Sequence, residues 1–342
     1  MFLLYLSFLK SDLKKNYFVS FILLSMDKRQ ILYFFIFSTF FIQNFYSQNF
    51  TRPNDWKKYR KELTFQGGAS AFLGDLGGLN KIGTDFSPVD VEFALTRPAF
   101  SLGYRYKLAK NFNWHTSFNY LLVAGDDKLT TEPYRNNRNL NFKSNIFEFA
   151  TRLEVSFFNS KVGHRYGIKK TLSRRHKGKS HEFIGFIGIG GFYFNPKGRN
   201  PSTGQFEKLY PLHTEGQGLP GGPAQYKRIA LSIPMGLGWR MILNKLWCVG
   251  LEFNYRKTFT DYIDDVHGTY YDKTALFDAY GAKSVAMADP SLGDIPNATA
   301  PNGDGTGAQR GDKENDSYMS IQVTVGRFFP PKRKKTRLRS KF

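Results

Sequence analysis

The stretch "SNIFEFATRLEVSFF", Ser144 to Phe158, alternates with a period of two. Phe147, Phe149, Thr151, Leu153, Val155 and Phe157 fall on one side; Glu148, Ala150, Arg152, Glu154 and Ser156 fall on the other. Successive side chains of a β-strand point to opposite faces, so this segment is a strand with one greasy and one charged face. Seven further segments read the same way: "ELTFQGGASAFL", "PAFSLGYRYKL", "NWHTSFNYLL", "HEFIGFIGIGGFYF", "RIALSIPMGLGW", "WCVGLEFNYRK" and "YMSIQVTVGRFF". In "WCVGLEFNYRK", Leu251, Phe253 and Tyr255 oppose Glu252, Asn254 and Arg256. "HEFIGFIGIGGFYF" is apolar on both faces, so its inside and outside are not assignable. Pro234 stands in mid-strand, where it cannot donate a ladder hydrogen bond, and a bulge is expected there.

A soluble sandwich also alternates, so the pattern alone leaves two architectures open. Three features favour an all-β, eight-stranded antiparallel transmembrane β-barrel with long extracellular loops. The apolar faces are wide and often end in Trp or Tyr, like an aromatic girdle. The opposite faces carry Glu148, Arg152, Glu154, Glu252 and Arg256, which are costly in a dry core but suit a polar lumen. Connections alternate between short ("AKNF", "NKL") and long, as in bacterial barrels with short periplasmic turns. Eight strands leave an interior just wide enough for side chains, so these five charges are expected to form a hydrogen-bonded plug and not a solute channel.

Export is expected as well. After Met26-Asp27-Lys28-Arg29, the run "ILYFFIFSTFFI" has signal-peptide length, and cleavage after Ser47 is plausible. Residues 26–47 read as the signal peptide and residues 1–25 as an overextended N-terminus. A basic periplasmic segment (48–61), the barrel (62–329) and a basic periplasmic tail (330–342) follow. The single cysteine, Cys248, excludes an intramolecular disulfide and a cysteine-cluster zinc site.

The net charge of +21 is not spread evenly. Parity places the connection Asn159 to Ser180 in the periplasm, and it contains Lys169, Lys170, Arg174, Arg175, Lys177 and Lys179 without an acid. The tail adds Lys332, Arg333, Lys334 and Lys335, and the N-terminal segment adds Lys57, Lys58, Arg60 and Lys61. All three fall on one side of the membrane, as a basic face that either docks an acidic partner or lies solvated near lipid or peptidoglycan. Few aromatics interleave with these charges, and nucleic acid is not an expected partner.

"GGFYFNPKG", "HTEGQGLPG" followed by "YKRIALSIPMGLGWRM", and "LEFNYRKTFTDYIDDVHGTYYD" resemble the PorG-like outer-membrane barrels of the type IX secretion system in Bacteroidota. The resemblance runs from about Glu62 to Phe329, and the basic tail extends beyond the family's usual ending, with Phe342 as a second candidate for the terminal aromatic. It implies a non-enzymatic component of the secretion machine, with no cofactor and no small-molecule substrate. It also implies docking to a PorK–PorN-type periplasmic ring, besides contact with outer-membrane lipid and lipopolysaccharide. The alternative is a stand-alone structural or adhesive outer-membrane barrel.

The acid-rich patch "FTDYIDDVHGTYYD" begins at the outer end of the seventh candidate strand. Asp261, Asp264 and Asp265 lack the spacing of an EF-hand, and His267 has no second histidine nearby. The expected reading is a rim turn. In it Tyr262, Tyr270 and Tyr271 pack at the membrane interface while the aspartates cap loop N–H groups. The alternative is weak Ca²⁺ or a lipopolysaccharide-bridging cation. His115, His213 and His267 are scattered, no G-x-S-x-G elbow occurs, and "GIGGFYF" lacks the Lys-Ser/Thr of a phosphate loop.

Overall fold

A computed structural model describes residues 57, 59–76, 93–130, 132–159, 180–243, 246–293, 307–312 and 314–330. The signal segment 26–47 lies outside the described residues. So do the proposed docking cations Lys169, Lys170, Arg174, Arg175, Lys177, Lys179, Lys332, Arg333, Lys334 and Lys335.

Each of the eight alternating segments is a strand. They form β1 (Lys61–Leu73), β2 (Arg97–Lys107), β3 (Phe112–Asp126), β4 (Asn141–Asn159), β5 (Ser180–Arg199), β7 (Ile229–Ile242), β8 (Trp247–Thr258) and β9 (Ser317–Phe329). A short β6 (Phe206–Lys208) pairs only with the far end of β5. Every chain neighbour in the barrel pairs antiparallel, and β1 pairs with β9 from Lys61↔Phe329 to Leu73↔Ser317. The sheet therefore closes on itself and leaves no edge among its eight long strands.

Closure decides where the two faces go. Phe65, Phe100, Phe118, Phe149, Leu153, Ile187, Leu231, Leu237, Leu251 and Val323 all point outward and are exposed. Glu148, Arg152, Glu154, Glu252 and Arg256 point inward and are buried. Apolar outside and ionic inside is the reverse of a water-soluble barrel, and it suits a hydrocarbon surround in which every backbone group is bonded within the sheet. Among the described residues no helix is long and apolar enough to cross a membrane; the crossing is made by strands. Near the short turns, Trp114, Trp239, Trp247 and Phe329 ring the outer surface. The guanidinium of Arg327 lies 5.5 Å from the Trp247 ring centroid, an arrangement typical of an interfacial belt.

β5 resolves its own ambiguity. Phe183, Ile187 and Ile189 face out, while Ile184, Phe186, Phe192 and Phe194 face in. Ile184 and Phe186 pack among the luminal ions, with Arg152 over the Phe186 ring, and further out the lumen itself is apolar. There Phe192, Phe194, Leu121, Val123, Ile146, Phe142 and Tyr318 form one cluster with Phe72, Leu76, Tyr226 and Ile263. Leu121 and Val123 of β3 belong to this cluster, and Leu122, on the opposite face of the strand, is buried as well.

The bulge expected at Pro234 is absent. Ile187↔Met235 and Gly190↔Ser232 keep one register, and only the two pairs between them are missing from the β5 ladder. Losing local pairs on one side accommodates the absent N–H without bending the strand, and the β8 side stays continuous through Pro234↔Arg256. The register shift that does occur lies between Ser156 and Phe158 in β4.

The β2–β3 turn at 108–111 and the described residues between β7 and β8 lie at one end of the barrel, and the described residues 74–76, 93–96, 127–130, 132–140, 200–228, 259–293, 307–312 and 314–316 lie at the other. The described parts of the longer segments fold. They contain α1 (Pro133–Arg138), α2 (Lys273–Tyr280) and α3 (Ala282–Ala288). Asp272 starts α2 by accepting a 2.7 Å bond from the Ala275 N–H, the usual work of an N-cap aspartate.

Candidate functional site: a sealed lumen and an acidic dome

In the half of the lumen nearer the short turns, ions form a continuous network. Arg105 of β2 donates to Glu154 at 2.6 Å, to Glu62 at 2.9 Å and to Glu252 at 3.1 Å. Arg152 bridges Glu154 at 3.0 Å and also Glu252. Arg240 joins Glu62 at 3.0 Å to Glu182, whose other oxygen accepts from Ser156. Arg152 also lies 3.9 Å over the Phe186 ring. A second node sits further out. Glu148 accepts from Arg256 at 2.7 Å, Ser232 at 2.7 Å, Asn119 at 3.0 Å and Tyr318 at 3.2 Å.

The five charges read from sequence as luminal are thus split between two nodes. Arg105, Glu62, Glu182 and Arg240, which sequence reading did not single out, complete the larger one. Arg105, Glu62 and Glu182 sit on inward positions of candidate strands and Arg240 one residue past the end of "RIALSIPMGLGW", so the alternation rule, carried past that end, would have found them. Buried ion pairs are stable only when their geometry is good and the remaining hydrogen-bond capacity is filled, and both conditions hold at Arg105 and Glu148. His115 belongs here too. It is buried, 2.9 Å from Thr64 Oγ1.

The long-loop end carries a dome with a different chemistry. The three rim aspartates part company within five residues. Asp265, in a left-handed conformation (φ 68°), has both oxygens occupied, accepting from Tyr226 and Thr214 at 2.6 Å each. Burial lifts its carboxyl to about 6, held from rising further by the nearby Arg310. Asp261 and Asp264 turn the other way, toward Asp75 from the β1 end and toward Asp312 and Asp316 from the segment before β9.

Asp264 accepts from the Val266 N–H at 3.0 Å and Asp316 from the Ile263 N–H at 2.8 Å. Asp75 accepts from the Asp312 N–H at 3.0 Å, and Asp261 is bonded to His267 Nδ1. One oxygen each of Asp261, Asp264 and Asp316 is buried without a hydrogen-bond partner. Burial, then the adjacent carboxylates, push Asp75 up to about 7 and Asp261 up to about 10; Asp264 and Asp316 are raised well above the carboxylate range for the same reasons.

The expected capping of loop N–H groups accounts for one oxygen of Asp264. The tyrosines do not sit at a membrane interface: Tyr262 stacks on Tyr226 with centroids 4.5 Å apart, Tyr270 is buried, and Tyr271 donates to the Pro220 carbonyl. They pack the dome because the chain leaves β8 upward and folds over the lumen mouth. Asp75, Asp312 and Asp316 went unrecognised because no local spacing links them to Asp261. The histidines stay apart: His213 stacks on Tyr280 and His267 serves Asp261.

Fold and site together define an eight-stranded membrane-spanning β-barrel with a plugged interior and an ordered loop dome. Residues 40–171, less than half of the chain, match the family model described as Domain of unknown function (DUF6089). No curated protein matches the chain. Among solved structures, it is similar to Ail, the attachment invasion locus protein of Yersinia pestis, at 10% identity and a TM-score of 0.31, covering 79% of this chain and 99% of that one. It is also similar to the outer membrane protein OprG from Pseudomonas aeruginosa, at 9% identity and 0.33, covering 80% and 98%. A third likeness is to Neisserial surface protein A, at 4% identity and 0.33, covering 79% and 97%. At such values the likeness carries no inference about activity.

Proposed function

We propose that the protein is a non-enzymatic outer-membrane scaffold whose working surfaces lie at the two ends of a sealed barrel. The observation that supports this is the lumen. Arg105 is fixed by three carboxylates from three other strands, and the apolar cluster above it fills the mouth. A solute path would have to break both. Purified barrel in planar bilayers should therefore show no stepwise conductance; reproducible single-channel steps would overturn the sealed-scaffold reading.

The finer reading is a component of a type IX secretion machine that docks a PorK–PorN-type periplasmic ring. The resemblance to PorG-like barrels supports it, as does the clustering of basic residues on one side in the sequence. Charge would then supply steering and part of the affinity, and salt would weaken docking across a Debye length of about 8 Å at physiological ionic strength. Replacing Arg174, Arg175, Lys177 and Lys179 with Ser or Gln should leave a heat-modifiable barrel but reduce co-purification of ring subunits from solubilised envelope. Unchanged co-purification and unchanged secretion would leave the stand-alone barrel, with its ordered dome, as the better reading.

A further inference from the structure

We propose that Asp75, Asp261 and Asp312, backed by Asp264 and Asp316, form a binding site for a hard divalent cation, and that calcium is the ion that fits it. Asp75, Asp261 and Asp312 each offer a carboxylate oxygen, and these lie within 4.8 Å of one another. Oxygens bound to one calcium at about 2.3–2.6 Å are separated by at most about 5 Å, so the three can share an ion.

Crowded acids alone would not make a site. The second observation is the set of unpartnered oxygens. Asp264 and Asp316 are each 1% exposed and Asp261 is 6% exposed, yet each has a carboxylate oxygen with no hydrogen-bond donor. Buried carboxylate oxygens without donors are costly and uncommon in native proteins. Their other oxygens are held by the Ile263 and Val266 N–H groups and by His267, which orients the free ones, as outer-shell bonds do for metal-binding carboxylates.

The backbone makes room for this convergence. A Cβ on Gly74 would collide with Asp316 Oδ1, and one on Gly311 with Asp75 Oδ2. Asp312 is exposed and gives an entry path from the outside. Among the described residues, Arg138 is the guanidinium that offsets Asp75, and it is committed elsewhere, to the Asp75 carbonyl at 2.8 Å and to Asp127 at 2.7 Å. The donor set is all oxygen, with its single histidine tied to Asp261, so calcium or a similar hard ion is favoured over zinc or copper.

The test uses the full barrel, refolded in detergent free of lipopolysaccharide, stripped with EDTA and titrated with calcium chloride by calorimetry. One site is expected, in the roughly 0.1–1 mM range of extracellular modules, with magnesium weaker because it demands a smaller, octahedral shell. Asp75→Asn and Asp261→Asn should each weaken calcium at least about tenfold, the scale on which even outer-shell losses act. In EDTA both should remain heat-modifiable and melt no lower than the wild type. The more exposed Asp312→Asn provides a milder variant should either fold poorly. No binding heat up to roughly 10 mM calcium, well above that range, would overturn the proposal. So would wild-type affinity in the Asp75→Asn/Asp261→Asn double variant.

Discussion

In the lumen, Glu62, Glu154, Glu182 and Glu252 share Arg105, Arg152 and Arg240, and the ions lock together. In the dome, Asp75, Asp261, Asp264, Asp312 and Asp316 face one another, and three of them keep a buried oxygen with no donor. Both regions bury acids in a chain with a large excess of arginine and lysine, so supply of cations does not explain the difference. Position does. The luminal acids lie on strands whose inward neighbours carry guanidinium groups at matching heights. The dome acids arrive on separate loops, and the guanidinium groups nearby are paired with other acids, Arg138 with Asp127 and Arg310 with Glu215. The first arrangement closes a space; the second leaves one whose charge is unanswered.

The largest expected effect is on the closed side. Arg105→Met removes the group shared by Glu62, Glu154 and Glu252, and stranding buried charges costs about 3–5 kcal/mol. Urea unfolding of the refolded barrel, read by the gel-shifted fraction, should show this loss. A neutral result would mean that the lumen is wetter than its packing indicates. Next in size is a charge placed where no partner exists. Leu251 is exposed on the outer face of β8, and Leu251→Arg should cost about 2–4 kcal/mol near the bilayer midplane, lowering the yield of inserted barrel. The same measurement on a charge-conserving Arg240→Lys should show a smaller deficit, since the lumen supplies carboxylates.

The dome should respond with the opposite sign. In EDTA, Asp264→Asn keeps its bond from the Val266 N–H and relieves carboxylate repulsion, so it should raise stability by about 1 kcal/mol, within the ordinary range of single substitutions. A loss of that size instead would show that the apo dome is not strained by its charges. The smallest effect lies at the dome surface, where Lys273 Nζ approaches Asp289 at 2.6 Å. Burial tends to raise the Asp289 carboxyl, but the Lys273 and Ser291 bonds outweigh it and hold the group below its usual range. A carboxyl lowered by folding adds stability above its ordinary value near 3.8, and this is lost as pH falls through the folded value. Lys273→Met should thus cost less than about 0.5 kcal/mol at neutral pH, because the pair is partly solvated, and nothing once Asp289 is protonated. Melting curves at pH 7 and below pH 3 would separate the two.

The barrel was legible in the sequence because its strands obey a two-residue period imposed by lipid on one side and a packed interior on the other. Glu148, Arg152, Glu154, Glu252 and Arg256 could be placed from alternation alone. β5 could not, since the rule assumes a polar lumen and its inward residues Ile184, Phe186, Phe192 and Phe194 are apolar. Asp261 and Asp264 stood out as part of a local run, whereas Asp75 and Asp312 acquire meaning only through the closure that brings the end of β1 beside the approach to β9. Asp265 shows the converse: it is adjacent to Asp264 in sequence, yet the left-handed backbone at that residue sends it to Tyr226 and Thr214.

The β1–β9 seam has one more consequence. It is as continuous as any internal pairing, and the start of β1 lies beside the end of β9, at the same rim as the 108–111 turn and the described residues between β7 and β8. The connectivity is therefore cyclic in all but one bond, and no strand holds a privileged place in the order. A chain rewired to begin at Phe112 and end at Lys107, with Phe329 spliced to Lys61 through a short linker, would keep every strand neighbour it has now.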